Sequence, residues 1–227
     1  MVFGASPQIV PPYPALPSQV IRVIEQAICV GLGHVKTQYQ MQIPAAPETQ
    51  ITSWLSEVLA LMWQSGSTVS GFDANTYQLP HLDATVRNFD GTSYSGRPDL
   101  RFYLQGGVSN CVVDAPYQYA WFCECKLLDS QHSSQTLHSY ITQGVQRFEM
   151  GQYAWAMPHA QMLAYVREPH SANYLPSQYL VPRFQKKGVR HQLDGNVVSS
   201  THARLFSLAN GKPPGNIELR HLWFKLL

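Results

Sequence analysis

The apolar positions of this chain change period several times. Residues 1–17 hold Pro7, Pro11, Pro12, Pro14 and Pro17 and no sustained period, which predicts an extended lead-in on the surface. Ser18 stands at an N-cap position before VIRVIEQAICVGLG, and the spacing predicts a helix over about 18–31, stopped by Gly31 and Gly33. After a break from Gln42 to Pro47, Trp54, Leu55, Val58, Leu61 and Met62 recur at helical spacing. With Glu48 in the first turn and Gly66 at the end, a second helix is expected over about 48–64. Residues 67–95 are rich in Ser, Thr, Gly, Asp and Asn and predict short strands and turns.

From Arg97 the pattern sharpens. Pro98–Leu104 predicts a strand, Gly106, Gly107, Ser109 and Asn110 a turn, and Tyr119–Leu128 a second strand. Ser133–Met157 predicts one long helix carrying Leu137, Tyr140, Ile141, Val145, Phe148 and Tyr153, and Ala160–Val166 a buried strand. Val197–Leu208 and Ile217–Leu227 add two strand-like runs. The order is helix, strands, long helix, strand, then more strands. It predicts an α/β (α+β) fold with a mixed sheet flanked by helices. One domain overall is expected, in three parts: a lead-in and helix (1–47), a core (48–166) and a C-terminal extension packed on that core (167–227).

Composition narrows the class. Only 13% of the 227 residues are charged, against about 25% in an ordinary domain. Hydrophobic residues at 44%, with 5 Trp, 12 Tyr and 9 Phe, exclude a disordered chain. No apolar run reaches the roughly 18–20 residues of a membrane helix. No basic residue precedes Arg22, so the N-terminus does not read as a signal peptide. A cytoplasmic protein is expected, with a secreted toxin as the other setting. The net charge of +2 argues against a protein that coats nucleic acid. It also hides a division: residues 1–166 hold 7 Lys/Arg against 11 Asp/Glu, a net of −4, and residues 167–227 hold 9 against 3, a net of +6. Cys29, Cys111, Cys123 and Cys125 fit no zinc spacing and read as reduced, buried thiols.

The strand Trp121–Leu128 carries the candidate chemistry. Alternation puts Cys123, Cys125 and Leu127 on one face and Phe122, Glu124 and Lys126 on the other. A Glu and a Lys in an apolar strand are costly unless paired or bound to something; the plain alternative is an ion pair at a sheet edge. Asp99 opens the preceding strand, and a hairpin brings it beside Glu124. Two carboxylates brought together repel and call for a cation. Hard oxygen ligands point to Mg²⁺ or Mn²⁺ rather than zinc.

Pro98-Asp99, 24 residues, then Glu124-Cys125-Lys126 resembles the PD-(D/E)xK nuclease superfamily. Its restriction-endonuclease-like core runs αβββαβ, the order expected here over about 48–166, with extra strands C-terminal to it. The resemblance implies metal-dependent hydrolysis of phosphodiesters, with DNA the expected partner. Asp99, Glu124 and the Cys125 main-chain carbonyl would hold Mg²⁺ (or Mn²⁺), and Lys126 would orient a water. An acid on the first core helix is implied too, and Glu48 is favoured over Glu57. Gln143, Gln146 and Arg147 would support the site from the helix after β-strand 121–128, where Gly144 allows close packing. Arg97, Lys186, Lys187, Arg190, His202 and Arg204 are candidate nucleic-acid contacts, with a polar strand face the other reading of His202 and Arg204. Cutting both strands of a duplex implies a homodimer. The alternative function is a non-catalytic nucleic-acid-binding or assembly module with a nuclease-like fold.

Overall fold

The computed structural model describes residues 8–94, 96–105, 112–113, 116–129, 133–167, 180–182, 190–194, 197–208 and 210–227. In chain order the elements are β1 (Gln8–Ile9), α1 (Ser18–Gln38), α2 (Glu48–Ser65), β2 (His81–Leu82), β3 (Leu100–Phe102) and β4 (Val112–Val113). There follow β5 (Trp121–Asp129), α3 (Ser133–Tyr140), a π turn (Ile141–Val145), α4 (Gln146–Glu149), β6 (His159–Arg167), β7 (Arg190–Asp194), β8 (Val197–His202) and β9 (Ile217–Lys225). Seven strands form one sheet in the order β2-β3-β5-β6-β9-β8-β7, and β1 pairs with β4 apart from it.

The sheet is mixed, and its composition explains how. Its centre, β5-β6-β9, is parallel. A parallel centre is covered on both faces and reads as a continuous apolar run. That is the case in β6, where Ala160 to Val166 are all buried. Outside the centre the pairings are antiparallel: β2 with β3 and β3 with β5 on one side, β9 with β8 and β8 with β7 on the other. The mixed α/β class expected from the sequence is therefore present. Residues 197–227 are more than an extension packed on a core, because β9 lies in register beside β6 from His159↔Glu218 to Val166↔Lys225. They complete the sheet itself.

Several element boundaries differ from the sequence reading. α1 runs to Gln38, past Gly31 and Gly33. Gly31 marks a close helix contact, not a stop: a Cβ there would stand 3.0 Å from Leu55 Cδ1 of α2. Buried Ile21, Ile24, Ile28, Leu32 and Val35 give α1 its apolar face. Glu25 is buried with them and accepts two hydrogen bonds from Arg220, at 2.7 and 3.0 Å, which ties α1 to β9. The expected helix 133–157 ends at Glu149 and is interrupted by the π turn. At Gly144 inside that turn, a Cβ would collide with Met162 Cε and lie 3.8 Å from Glu124 Cγ. The wide turn brings the helix backbone down onto the sheet beside Glu124; such bulges are frequent at functional sites. The run 197–208 is a strand only to His202, and 217–227 only to Lys225.

A polarised hydrogen-bond chain joins the helices to the C-terminal strands. Indole N–H can only donate, and Trp223 Nε1 donates to the Tyr140 hydroxyl at 3.2 Å. The hydroxyl then donates to His221 Nδ1 at 2.7 Å, and His221 Nε2–H donates to Ser200 Oγ at 2.7 Å. Ser200 donates to His202 Nε2 at 2.6 Å, and His202 Nδ1–H donates to Glu149 at 2.8 Å. With both rings neutral and His202 Nδ1–H on the Glu149 carboxylate, every step runs in this one direction. The chain of bonds also corrects the reading of His202 as a phosphate contact, since this buried ring spends both nitrogens inside the fold. Arg204 is corrected likewise: its guanidinium donates to the Trp155 and Met157 carbonyls, and burial pushes it down to about 10.

Burial, then the neighbouring His202, holds His221 well below its ordinary value of 6.5. A depressed folded pKa means that the unfolded chain takes the proton first as pH falls. Stability from this group is therefore complete above pH 6.5 and is lost on acidification below it. We expect unfolding free energy from urea titrations to fall between pH 6.5 and 5 with a slope of up to ~1.4 kcal/mol per pH unit from this ring. His221→Gln should flatten that slope, and an unchanged slope in the variant would remove His221 as its source.

Candidate active site

β3 and β5 form the antiparallel pair that the sequence implied, with Leu100 opposite Cys123. Asp99 therefore enters the sheet beside Glu124. β5 alternates as expected: Cys123 and Cys125 are fully buried on one face, and Glu124 and Lys126 lie on the other. α2 lays its first turn over the same face and delivers Glu48. The π turn and α4 deliver Arg147, and the loop after Gly151 delivers Tyr153.

Glu124 is the centre of this cluster and has no exposed surface. Its Oε1 accepts from Lys126 Nζ at 2.7 Å and from Arg147 Nη1 at 3.0 Å. Its Oε2 accepts from the Tyr153 hydroxyl. Lys126 Nζ uses its other two protons on the Cys125 carbonyl at 2.7 Å and Glu48 Oε1 at 3.2 Å. Glu48 Oε2 accepts from the Leu127 amide at 2.7 Å, so the helix carboxylate grips the strand backbone as well as the lysine. Asp99 Oδ2 accepts from the Cys125 amide at 2.6 Å.

Electrostatics separate these groups. Burial opposes the charge on Lys126, but Glu124, Glu48 and Asp99 together outweigh it and raise the ammonium above its ordinary range. Arg147 behaves the same way, with Glu124 overcoming burial. Burial and then Glu124 push the Tyr153 hydroxyl well up, so it stays a donor. Asp99 is pushed up to about 7, first by burial and then by the charge on Glu124. Three carboxylates face two cations, and Asp99 is the one left over.

The remaining predicted residues sort by exposure. Gln143 and Gln146 are exposed beside Arg147, and Glu57 is exposed on α2. Arg97 is exposed and lies 3.8 Å from Asp83. Lys186 and Lys187 lie outside the described residues. Arg190 opens β7. Tyr153 was missed by the sequence reading, which placed it on a continuous helix. Its signal would have been Gly151, whose φ of +67° ends the helical run two residues earlier. Among the described residues no three His, Cys, Asp or Glu side chains form a ready metal cage.

Asp99 has a folded pKa of about 7, above its ordinary 3.8. A raised folded pKa adds stability that is complete below 3.8 and is lost as pH rises towards 7. Asp99→Asn keeps an acceptor for the Cys125 amide and removes the surplus charge. In EDTA it should gain about 1 kcal/mol or more over wild type at pH 8, and little at pH 4. Thermal melts of both proteins at the two pH values check this. An equal difference at both values would discard the crowding of charge on Asp99.

No family model matches this chain, and no curated protein or solved structure matches it, so the chemistry of the site rests on its own residues.

Proposed function

We propose that the protein is a divalent-metal-dependent nuclease acting on DNA, with Asp99, Glu124 and Lys126 at its reacting centre. The observation that carries this reading is the meeting of Asp99, Glu124, Lys126 and Glu48 on one face of the sheet, with one carboxylate uncompensated. Within the large sheet, β2, β3 and β5 come between α2 and α3 and β6 follows, an order compatible with the αβββαβ core of the PD-(D/E)xK superfamily once β4, which pairs with β1 outside that sheet, is set aside.

The donor set suits a hard cation. Asp99, Glu124 and the Cys125 carbonyl offer oxygen only, and Mg²⁺ is commonly bound by one or two carboxylates with several waters retained. When bound, Mg²⁺ supplies Lewis-acid polarisation of the phosphate and a more acidic water. The chain supplies the rest. Lys126, kept as an ammonium, would set a positive charge against the phosphate oxygens and orient the water. Glu48 positions that lysine. Tyr153 and Arg147 lock the Glu124 carboxylate, and the partly exposed Arg147 also meets the negative charge of a strand. Cutting both strands of a duplex would bring two copies together as a homodimer.

One observation favours the alternative, a non-catalytic binding or assembly module. All three Lys126 protons are already used within the chain, so the cluster is closed without a cation. Divalent-ion titration separates the two readings. Mg²⁺ or Ca²⁺ should raise the melting temperature of wild type and leave Asp99→Asn unmoved; no shift in either favours the module.

The direct experiment is cleavage of plasmid, linear duplex and single-stranded DNA with Mg²⁺ or EDTA. Wild type should cut only with Mg²⁺. Asp99→Ala and Lys126→Ala, checked for folding by circular dichroism, should lose about 10²-fold or more. Wild-type rates in both variants, or no cleavage by wild type, would end the nuclease reading.

A further inference from the structure

A cleft of about 890 Å³ opens on the face of β3 that carries Asp99. Arg101 lies two residues along the strand from Asp99 on the same face, about 7 Å away. Arg101, which lines the cleft, thus neighbours the carboxylate site along the chain. Tyr94, Tyr103, Tyr117 and Trp155 give it flat aromatic walls.

Two of the side chains that line the cleft each carry a buried polar atom with no partner among the described residues. Arg101 is only 5% exposed, its Nη1 donates to the Tyr103 hydroxyl at 2.8 Å, and its Nε has no partner among the described residues. Gln118 is 3% exposed; its Nε2 donates to the Arg87 carbonyl at 3.1 Å, and its Oε1 has no partner among the described residues. A buried polar group left unpaired is costly, and such groups mark a missing partner. Here one is a donor and the other an acceptor.

That pair decides the ligand chemistry. A bare phosphate dianion offers only acceptors, so it could not donate to the Gln118 oxygen, and it would gain nothing from aromatic walls. A nucleobase has π faces for tyrosine and tryptophan, and an edge that sets an acceptor next to an N–H. We propose that the cleft takes one unstacked nucleobase of the bound strand, next to the phosphodiester at Asp99, Glu124 and Lys126. Arg101 donates to the edge of that base, Gln118 accepts from it, and the exposed rings of Tyr94 and Tyr117 close over its faces. The proposal deepens the nuclease reading and rests on it for the position of the scissile phosphate. Base capture itself needs no cleavage.

Fluorescence anisotropy in EDTA tests base capture apart from catalysis. The probes are a short single-stranded DNA and the same backbone with abasic positions. Wild type should bind the base-bearing strand roughly 10-fold tighter than the abasic one. Tyr117 is 75% exposed, so Tyr117→Ala should fold, lose most of that preference and keep its affinity for the abasic strand. Tyr94→Ala is the second such variant. Equal binding of both probes by wild type, or equal weakening of both by Tyr117→Ala, overturns the proposal. So does tighter binding of free deoxynucleoside monophosphates than of the strand. Base preference without Mg²⁺-dependent cleavage would leave the cleft standing and remove the nuclease. Cleavage without base preference would do the reverse.

Discussion

Glu124 is a carboxylate sealed inside a sheet, and much of the architecture is organised around making that tolerable. Burying an ion costs several kcal/mol unless partners replace the lost water. The partners come from three directions: Lys126 from the same strand, Arg147 from the helix above and Tyr153 from the loop beyond it. None could be moved far. Arg147 reaches because the π turn lowers its helix onto Met162, and that approach needs the missing side chain at Gly144. Tyr153 reaches because the helix stops at Glu149. The irregular half of the helix is therefore the part that serves the site.

Scarcity of charge takes on a different meaning in this setting. A chain with 13% charged residues spends a good share of them inside. Glu25 and Arg220 pin α1 to β9, Asp129 and Arg167 join the C-terminal ends of β5 and β6, and Glu124 with Lys126 and Arg147 fills the middle. Arg167 also donates to the Ile43 and Ala46 carbonyls, holding the α1–α2 connection to the sheet. These pairs sit where strands and helices meet. They fix which element lies against which, a task that apolar contacts perform with less specificity.

Legibility in the sequence followed the range of each interaction. The period-two alternation of Trp121–Leu128 and the Pro98-Asp99 start of β3 are local, and they placed Asp99, Glu124 and Lys126 on one face. Glu48 was named because the family resemblance implies an acid on the first core helix. Apart from the helix end at Gly151, which is local, the failures are long-range. Gly31 looks the same in a sequence whether it ends a helix or admits Leu55 of another one. His202 and Arg204 alternate along a strand as solvent-facing groups do, yet their partners are Glu149, Ser200, Trp155 and Met157. The aromatic cleft is built in part from residues 78–94, which show no period at all, and closed by residues from β3, from 117–118 and from 155. Nothing in the composition of those segments says that they meet.

The two unsatisfied regions of the sheet face share one direction. Glu124 is closed on all sides, whereas Asp99 is partly exposed and has only a backbone amide as its hydrogen-bond partner from β5. On the nuclease reading, a cation or phosphate would therefore reach the cluster over Asp99 rather than over Glu124. From Asp99 the strand leads directly to Arg101 and the cleft, and from Tyr153 the loop leads to Trp155. On the nuclease reading this sets the path of the strand: its phosphate rests over Asp99 and Lys126, and the neighbouring nucleotide turns along β3 towards Arg101. The opposite path, over α2, meets Glu48, a carboxylate that would repel the backbone. On that reading, the carboxylates of the cluster would also decide from which side the nucleic acid could approach.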